Sequence, residues 1–209
     1  MLSLLLAAAA LPTAVDAERA FARDAQRIGQ WTAFRKYADE DAVMFTPQAI
    51  WAHEFLRGKK DPPKSVRWWP AASYVSCDGR TAVNTGPALS PDGRGHGYFT
   101  TVWQRDRRQW KWVYDGGDAL KTPRARPQQP YVRRAACIGK PTRAPLLKPP
   151  PAVKKRDAGP PDDFGLGYSA DRTLAWDWKV EAKGERRFRT FLWNGLRYEQ
   201  VLVDQVPPR

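Results

Sequence analysis

Between Ala17 and Tyr37 the apolar side chains recur at three- and four-residue intervals. Phe21, Ala25 and Ile28 form one line, continued by Thr32, and Ala20, Trp31 and Phe34 fill the flank. That spacing predicts helix, and Gly29 predicts either two helices meeting near Gly29-Gln30 or one kinked helix. The acidic triplet Asp39-Glu40-Asp41 closes the segment. Ala42–Phe45 reads as a short strand ended by Pro47, His53–Lys60 as a short helix or turn, and Asp61-Pro62-Pro63 as loop. From there the period changes to two. Val66–Cys77 is a strand run interrupted at Pro70, Asp78-Gly79 is a hairpin turn, and Arg80–Leu89 returns. The turn Ser90–Gly95 leads into the longest pattern, His96–Asp118, which reads as two strands joined by Asp106-Arg107-Arg108-Gln109.

Helices followed by a strand meander predict an α+β fold, with the helices packed on one face of a strongly bent antiparallel sheet. Alternation makes a sharper statement about the second strand of the long hairpin. Trp110, Trp112 and Tyr114 fall on one face and Lys111, Val113 and Asp115 on the other, so Asp115 shares a face with Trp112 only if a bulge intervenes.

The chain has 209 residues, with ten Trp. That is enough apolar and aromatic surface for one ordinary domain and an appendage. The formal charge is +13, which raises the question of nucleic acid, and the position of the charge answers it. Residues 121–163 hold ten of the 19 prolines, eleven Lys/Arg and three Asp, a net +8, with Tyr131 as the one aromatic. A basic groove with interleaved aromatics is missing there, so nucleic acid is not expected. The Pro density predicts an extended tether over residues 121–165, either simply solvated or, in an exported protein, facing an anionic envelope surface. Beyond it, Thr173–Lys183, Arg186–Trp193 and Leu196–Val203 read as a three-stranded meander over residues 166–209, with turns at Gly184-Glu185 and Asn194-Gly195. Such a piece needs something to pack against, either the main domain or a partner.

Leu2–Leu11 is an apolar run too short to span a bilayer. With Val15 and Ala17 as small residues, it fits a secretory segment cut between Ala17 and Glu18; the other reading is the Ala-rich first turn of a cytosolic helix. Export implies a periplasmic or secreted protein with residues 1–17 outside the fold and no transmembrane span in the mature chain. The two cysteines, Cys77 and Cys137, would in that compartment be either a disulfide or two inert thiols.

The stretches ERAFARDAQ and WTAFRKYADEDAVMF, then WWPAASYVSCDGRTAVNTGP, then GHGYFTTVWQRDRRQWKWVYDGG, resemble the nuclear transport factor 2-like superfamily, also called SnoaL-like or ketosteroid-isomerase-like, with a cystatin-like α+β cone. The likeness covers about residues 17–118 and is closest to secreted bacterial members of unassigned function. It implies a cone enclosing a pocket over residues 18–120. It implies no one activity, because the superfamily includes isomerases, cyclases, dehydratases, ligand binders and protein-binding modules. A Tyr and protonated-Asp donor pair with an Asp base, as a ketosteroid isomerase requires, cannot be placed on this sequence.

The expected lining of an apolar ligand pocket is Trp31, Phe34, Tyr37, Phe45, Trp68, Tyr98, Trp103 and Trp112. The candidates for a general base are His96 and Asp115, near opposite ends of the long hairpin. Two His and two Cys without close spacing make a metal site unexpected, and no cofactor motif is present. The first expectation is therefore an exported binder of a small apolar ligand. An isomerase- or cyclase-type enzyme using His96 or Asp115, and an envelope interaction module working through the linker and meander, are the alternatives. A homodimer is compatible with each.

Overall fold

The computed structural model describes residues 11–107, 109–139, 141 and 161–208. Two helices start the described chain, α1 (Ala14–Ile28) and α2 (Gln30–Tyr37). Thr13 caps α1: its side chain accepts from Asp16 N, and the Asp16 carboxylate accepts from Thr13 N in return, which satisfies amides that a helix start leaves open. Gly29 separates the helices at φ 103°, a conformation that L side chains avoid. A Cβ there would also lie 2.3 Å from the Asp61 carboxyl carbon. Asp61 occupies that space because it accepts from Thr32 N and Thr32 Oγ1 at the start of α2, where an anion is favoured. The break at Gly29 thus resolves into two helices.

Seven strands and one short helix follow: β1 (Ala38–Phe45), β2 (Ala49–Trp51), α3 (Ala52–Leu56), β3 (Arg67–Trp68), β4 (Ala72–Val75), β5 (Thr81–Leu89), β6 (His96–Asp106) and β7 (Gln109–Leu120). The expected antiparallel meander is present as β4-β5-β6-β7. The sheet is larger and mixed, however. β1 lies parallel to β7, and β8 (Tyr131–Arg134) lies parallel to β4, giving the order β2-β1-β7-β6-β5-β4-β8 with β3 on β5. β1 begins at Ala38, so the acidic triplet expected to close the helical segment is strand.

Strand β8 corrects the expected tether. Its pairing with β4 and the Cys77–Cys137 disulfide, with Cα atoms 5.2 Å apart, tie residues 131–137 to the sheet. Of the basic residues assigned to the linker, Arg124 pairs with Asp204 at 2.5 Å, Arg126 stacks on Trp69 at 3.6 Å and Arg133 pairs with Glu199 at 2.6 Å. The chain is therefore packed at least to Cys137. Residues 142–160, with Arg143, Lys148, Lys154, Lys155 and Arg156, lie outside the described residues.

The C-terminal piece is a four-stranded antiparallel sheet of β9 (Phe164–Tyr168), β10 (Leu174–Val180), β11 (Arg186–Trp193) and β12 (Tyr198–Val206), one strand more than expected. It docks on the main domain. The large sheet has two apolar faces, as alternation requires: Ala82, Trp103 and Trp112 face the helices with Phe21, Ala25 and Trp68, while Val83, Val102 and Tyr114 face the meander with Trp176, Trp178, Phe188 and Leu192. Polar anchors fix the dock. Thr100 Oγ1 and Arg124 converge on Asp204, and Cys77 N donates to Thr173 Oγ1 at 2.8 Å.

Residues expected to be cut away are part of this core. Ala14, Val15 and Ala17 are buried, and Trp110 Nε1 donates to the Pro12 carbonyl at 2.8 Å. The boundary expected after Ala17 falls inside α1. No described helix is long and apolar enough to cross a membrane.

Candidate functional site

The register of β6 against β7 slips once. Val102 faces Tyr114 while Trp103 faces Trp112, so Val113 is an extra residue in β7. A bulge of this kind reverses the side-chain alternation beyond it. Trp112 therefore faces the helices, Tyr114 faces the meander, and Asp115, opposite Thr101, returns to the helix side. The face assignment from simple alternation is overturned at this one residue.

Beyond Val43↔Tyr114, β1 and β7 make no further pair. The parting strands leave a cavity of about 230 Å³. Met44 and Phe45 form one wall, Asp115, Gly116 and Gly117 the opposite one, and Gln30, Trp31, Phe34, Val66, Trp68, Ala88, Tyr98 and Phe99 the remainder. Gly117 is needed for the close approach of β7 to β6, since a Cβ there would meet the Tyr98 carbonyl oxygen at 2.2 Å. Arg186, at the start of β11, closes the rim from the meander side.

Of the expected lining, Trp31, Phe34, Phe45, Trp68 and Tyr98 are in the wall. Trp103 and Trp112 are fully buried in the core, and Tyr37 packs on Phe21 and Trp103 instead. These three fill volume rather than line the cavity. His96 sits at the far start of β6, opposite Leu120, and does not line it. Asp115, whose register partner Thr101 lies five residues beyond His96 on β6, does. The two candidate bases are therefore not brought together.

Asp115 is a half-buried residue in the cavity lining. Burial pushes its pKa up to about 7, against the opposing effects of a hydrogen bond from Thr101 Oγ1 at 3.0 Å and of the Arg186 charge. A second carboxyl lies behind it. Glu18 is fully buried on α1, and burial raises it to about 8. It accepts from Trp103 Nε1 at 2.6 Å, Trp68 Nε1 at 2.8 Å and Asn84 Nδ2 at 3.3 Å, which oppose that rise, while the neighbouring Asp115 adds to it. Glu18 thus joins the cavity wall, through Trp68, to the core behind Asp115.

Sequence reasoning missed Glu18, Met44, Phe99 and Arg186. The signal for Glu18 was present: it stands three residues before Phe21, on the stripe that Ala25 and Ile28 continue. A cut between Ala17 and Glu18 would make Glu18 a chain terminus, which conceals that position on the stripe. Arg186 had no local signal, because only docking of the meander brings it to the cavity.

A larger groove of about 580 Å³ runs between α1 and residues 126–128, lined by Arg19, Arg23, Arg67, Trp69 and Arg126. Most of its arginine side chains are exposed, so it offers solvated positive charge, whereas the smaller cavity offers a mainly apolar, aromatic lining with one carboxyl. No group of three or more potential metal-ligating side chains occurs among the described residues.

No protein-family model matches the chain, and no curated protein matches it significantly. Similar solved structures include a putative aromatic ring hydroxylase from Novosphingobium aromaticivorans, at 17% identity over 52% of this chain and 87% of that one, with a TM-score of 0.36. They also include a putative Ca/calmodulin-dependent kinase II association domain from Exiguobacterium sibiricum, at 16% identity over 55% and 99%, with a TM-score of 0.38.

The two raised carboxyls give stability a definite pH dependence. Each holds a proton in the folded chain that the unfolded chain releases near pH 4, so folding stability is greatest on the acid side of that pH. It falls as pH rises through the folded values of about 7 and about 8 and levels off above them. Glu18→Gln removes one proton from this balance. Denaturant unfolding at pH 5 and pH 8 is expected to show a smaller loss of stability in Glu18→Gln than in the parent chain, by on the order of a few kcal/mol.

Proposed function

We propose that this chain binds a small, predominantly apolar molecule in the cavity between β1 and β7, with Asp115 as the polar group that meets it. The observation that carries the reading is the aromatic wall of Trp31, Phe34, Phe45 and Trp68 converging on a single carboxyl. Apolar enclosure supplies affinity, and a few convergent polar groups fix orientation. A volume of about 230 Å³ lies below the roughly 300 Å³ where drug-sized pockets begin, so the ligand is the size of one ring with a short substituent. The cone topology and the sequence resemblance together support placing the chain with the nuclear transport factor 2-like proteins.

A second reading follows from Asp115 itself. A carboxyl poised near neutrality in an apolar site suits a general base that removes a proton next to a carbonyl. The base works as the carboxylate, so activity should rise with pH through about 7 and reach a plateau above it. Export is part of the proposal as well. The apolar run before Pro12 supports it, and a cut ahead of Pro12 would leave α1 whole.

Three measurements test these statements. Indole or toluene should quench or shift the Trp fluorescence of the parent chain saturably, and Ala88→Phe, which fills the cavity from β5, should abolish the response while keeping a cooperative unfolding transition. No response in the parent chain would sink the ligand reading. Deuterium exchange from solvent into acetophenone should be accelerated by the parent chain with an inflection near pH 7 and should vanish in Asp115→Asn; equal exchange with both chains removes the enzymatic reading. The mass of the chain recovered from the cell envelope should place the mature N-terminus ahead of Pro12. A terminus at Glu18 would contradict the fold, since it removes the Thr13 cap and three buried residues.

A further inference from the structure

Arginine is buried in folded proteins when a carboxylate or a comparable partner offsets the loss of hydration. The arginines at the meander contacts follow that rule: Arg124 pairs with Asp204 at 2.5 Å, and Arg189 pairs with Asp177 at 2.5 Å. Arg186 does not. It is 7% exposed, yet it makes no salt bridge with a described carboxylate. One guanidinium nitrogen, Nη2, donates to the Gly117 carbonyl at 2.9 Å, and the group lies over the Phe45 ring at 4.3 Å. Both partners are neutral. Its nearest counter-charge in the cavity is Asp115, whose pKa of about 7 leaves that carboxyl largely protonated below neutrality.

The fold holds Arg186 at this place with some care. The turn before it, with Gly184 at φ 78°, sits against Pro47, and Gln48 Nε2 donates to the Glu181 carbonyl at 3.3 Å. Across the strand, Arg186 is in register with Val180 and Val206. A planar cation is therefore fixed at the rim of a one-ring cavity, with its remaining N–H groups uncommitted among the described residues.

We infer that the ligand of this cavity is a single-ring molecule carrying one carboxylate, and that Arg186, contributed by the C-terminal meander, is the residue that selects the carboxylate. The inference rests on the reading of the cavity as a ligand site. The planar fork of a guanidinium matches a carboxylate in geometry, and the aromatic wall accepts the ring. A lone guanidinium offsets one negative charge, and Asp115 in the same wall, once ionised, repels a second, which points to a monocarboxylate rather than a phosphate dianion. The main domain thus supplies the apolar enclosure and the meander supplies the recognition of charge, so the two together form one site.

The test is a titration of the full chain with benzoate and with its neutral isostere benzamide, followed by Trp fluorescence and calorimetry. Benzoate should bind roughly ten- to a hundredfold more tightly than benzamide, the difference expected of a charge-assisted hydrogen-bonded pair. Arg186→Gln should erase that preference, and Arg186→Lys should keep a reduced part of it. Equal binding of benzoate and benzamide to the parent chain overturns the inference while leaving an apolar ligand site standing. Failure of benzoate, benzamide, indole and toluene alike overturns both.

Discussion

Between Val102 and Trp103 the facing strand carries one residue too many, and Val113 is that residue. The backbone must keep its ladder hydrogen bonds on either side, so the surplus is absorbed as a bulge and the alternation of faces reverses. The consequences spread across the molecule. Trp112 stays in the helix-side core with Trp103, Tyr114 turns to meet Phe45 and Phe188 under the meander, and Asp115 swings to the side of Glu18. Without that reversal Asp115 would face the meander and the cavity would have no carboxyl in its wall. Parting of β1 from β7 just past Tyr114 then opens the cavity at the same point.

A sheet with apolar side chains on both faces needs two covers, since either face left in water would expose Val, Tyr and Trp surface at roughly 25 cal/mol per Å². The helices cover one and the meander the other. This is why the chain beyond residue 120 belongs to the folded body. β8 extends the sheet edge, the Cys77–Cys137 bond closes a 60-residue loop onto it, and Asp204 on β12 gathers Thr100 and Arg124 from the main domain. The covalent link and the ion pair hold together what apolar packing brings into contact.

Glu18 and Asp115 occupy the same region under different conditions. Glu18 is enclosed by two indole donors and an amide, a satisfied polar centre in the core beneath the cavity floor. Asp115 has one side-chain donor among the described residues, Thr101, and lines the cavity. Burial raises both, but only Asp115 can exchange its proton with something in the cavity. Placing a titrating group at an apolar wall is how proteins give one carboxyl a role distinct from its neighbour.

The sequence by itself determined the elements. Helical spacing located α1 and α2 and the break at Gly29, and the turn residues at Asp78-Gly79, Gly184 and Asn194-Gly195 located hairpins, because these depend on local backbone preference and a fixed period. It also named five of the aromatic residues that line the cavity and one of its polar groups, Asp115. Tertiary structure alone decided the rest. A bulge depends on the register between two strands, which no single strand encodes. The parallel pairings of β1 with β7 and β8 with β4 join segments far apart in sequence, so a Pro-rich, basic composition concealed a strand that its partner stabilises. Glu18 reads as a surface charge until the stripe beside it is buried. Arg186 reaches the cavity only after a second sheet has docked, about seventy residues beyond Asp115 in the chain, and no local pattern can encode a contact made by packing at that separation.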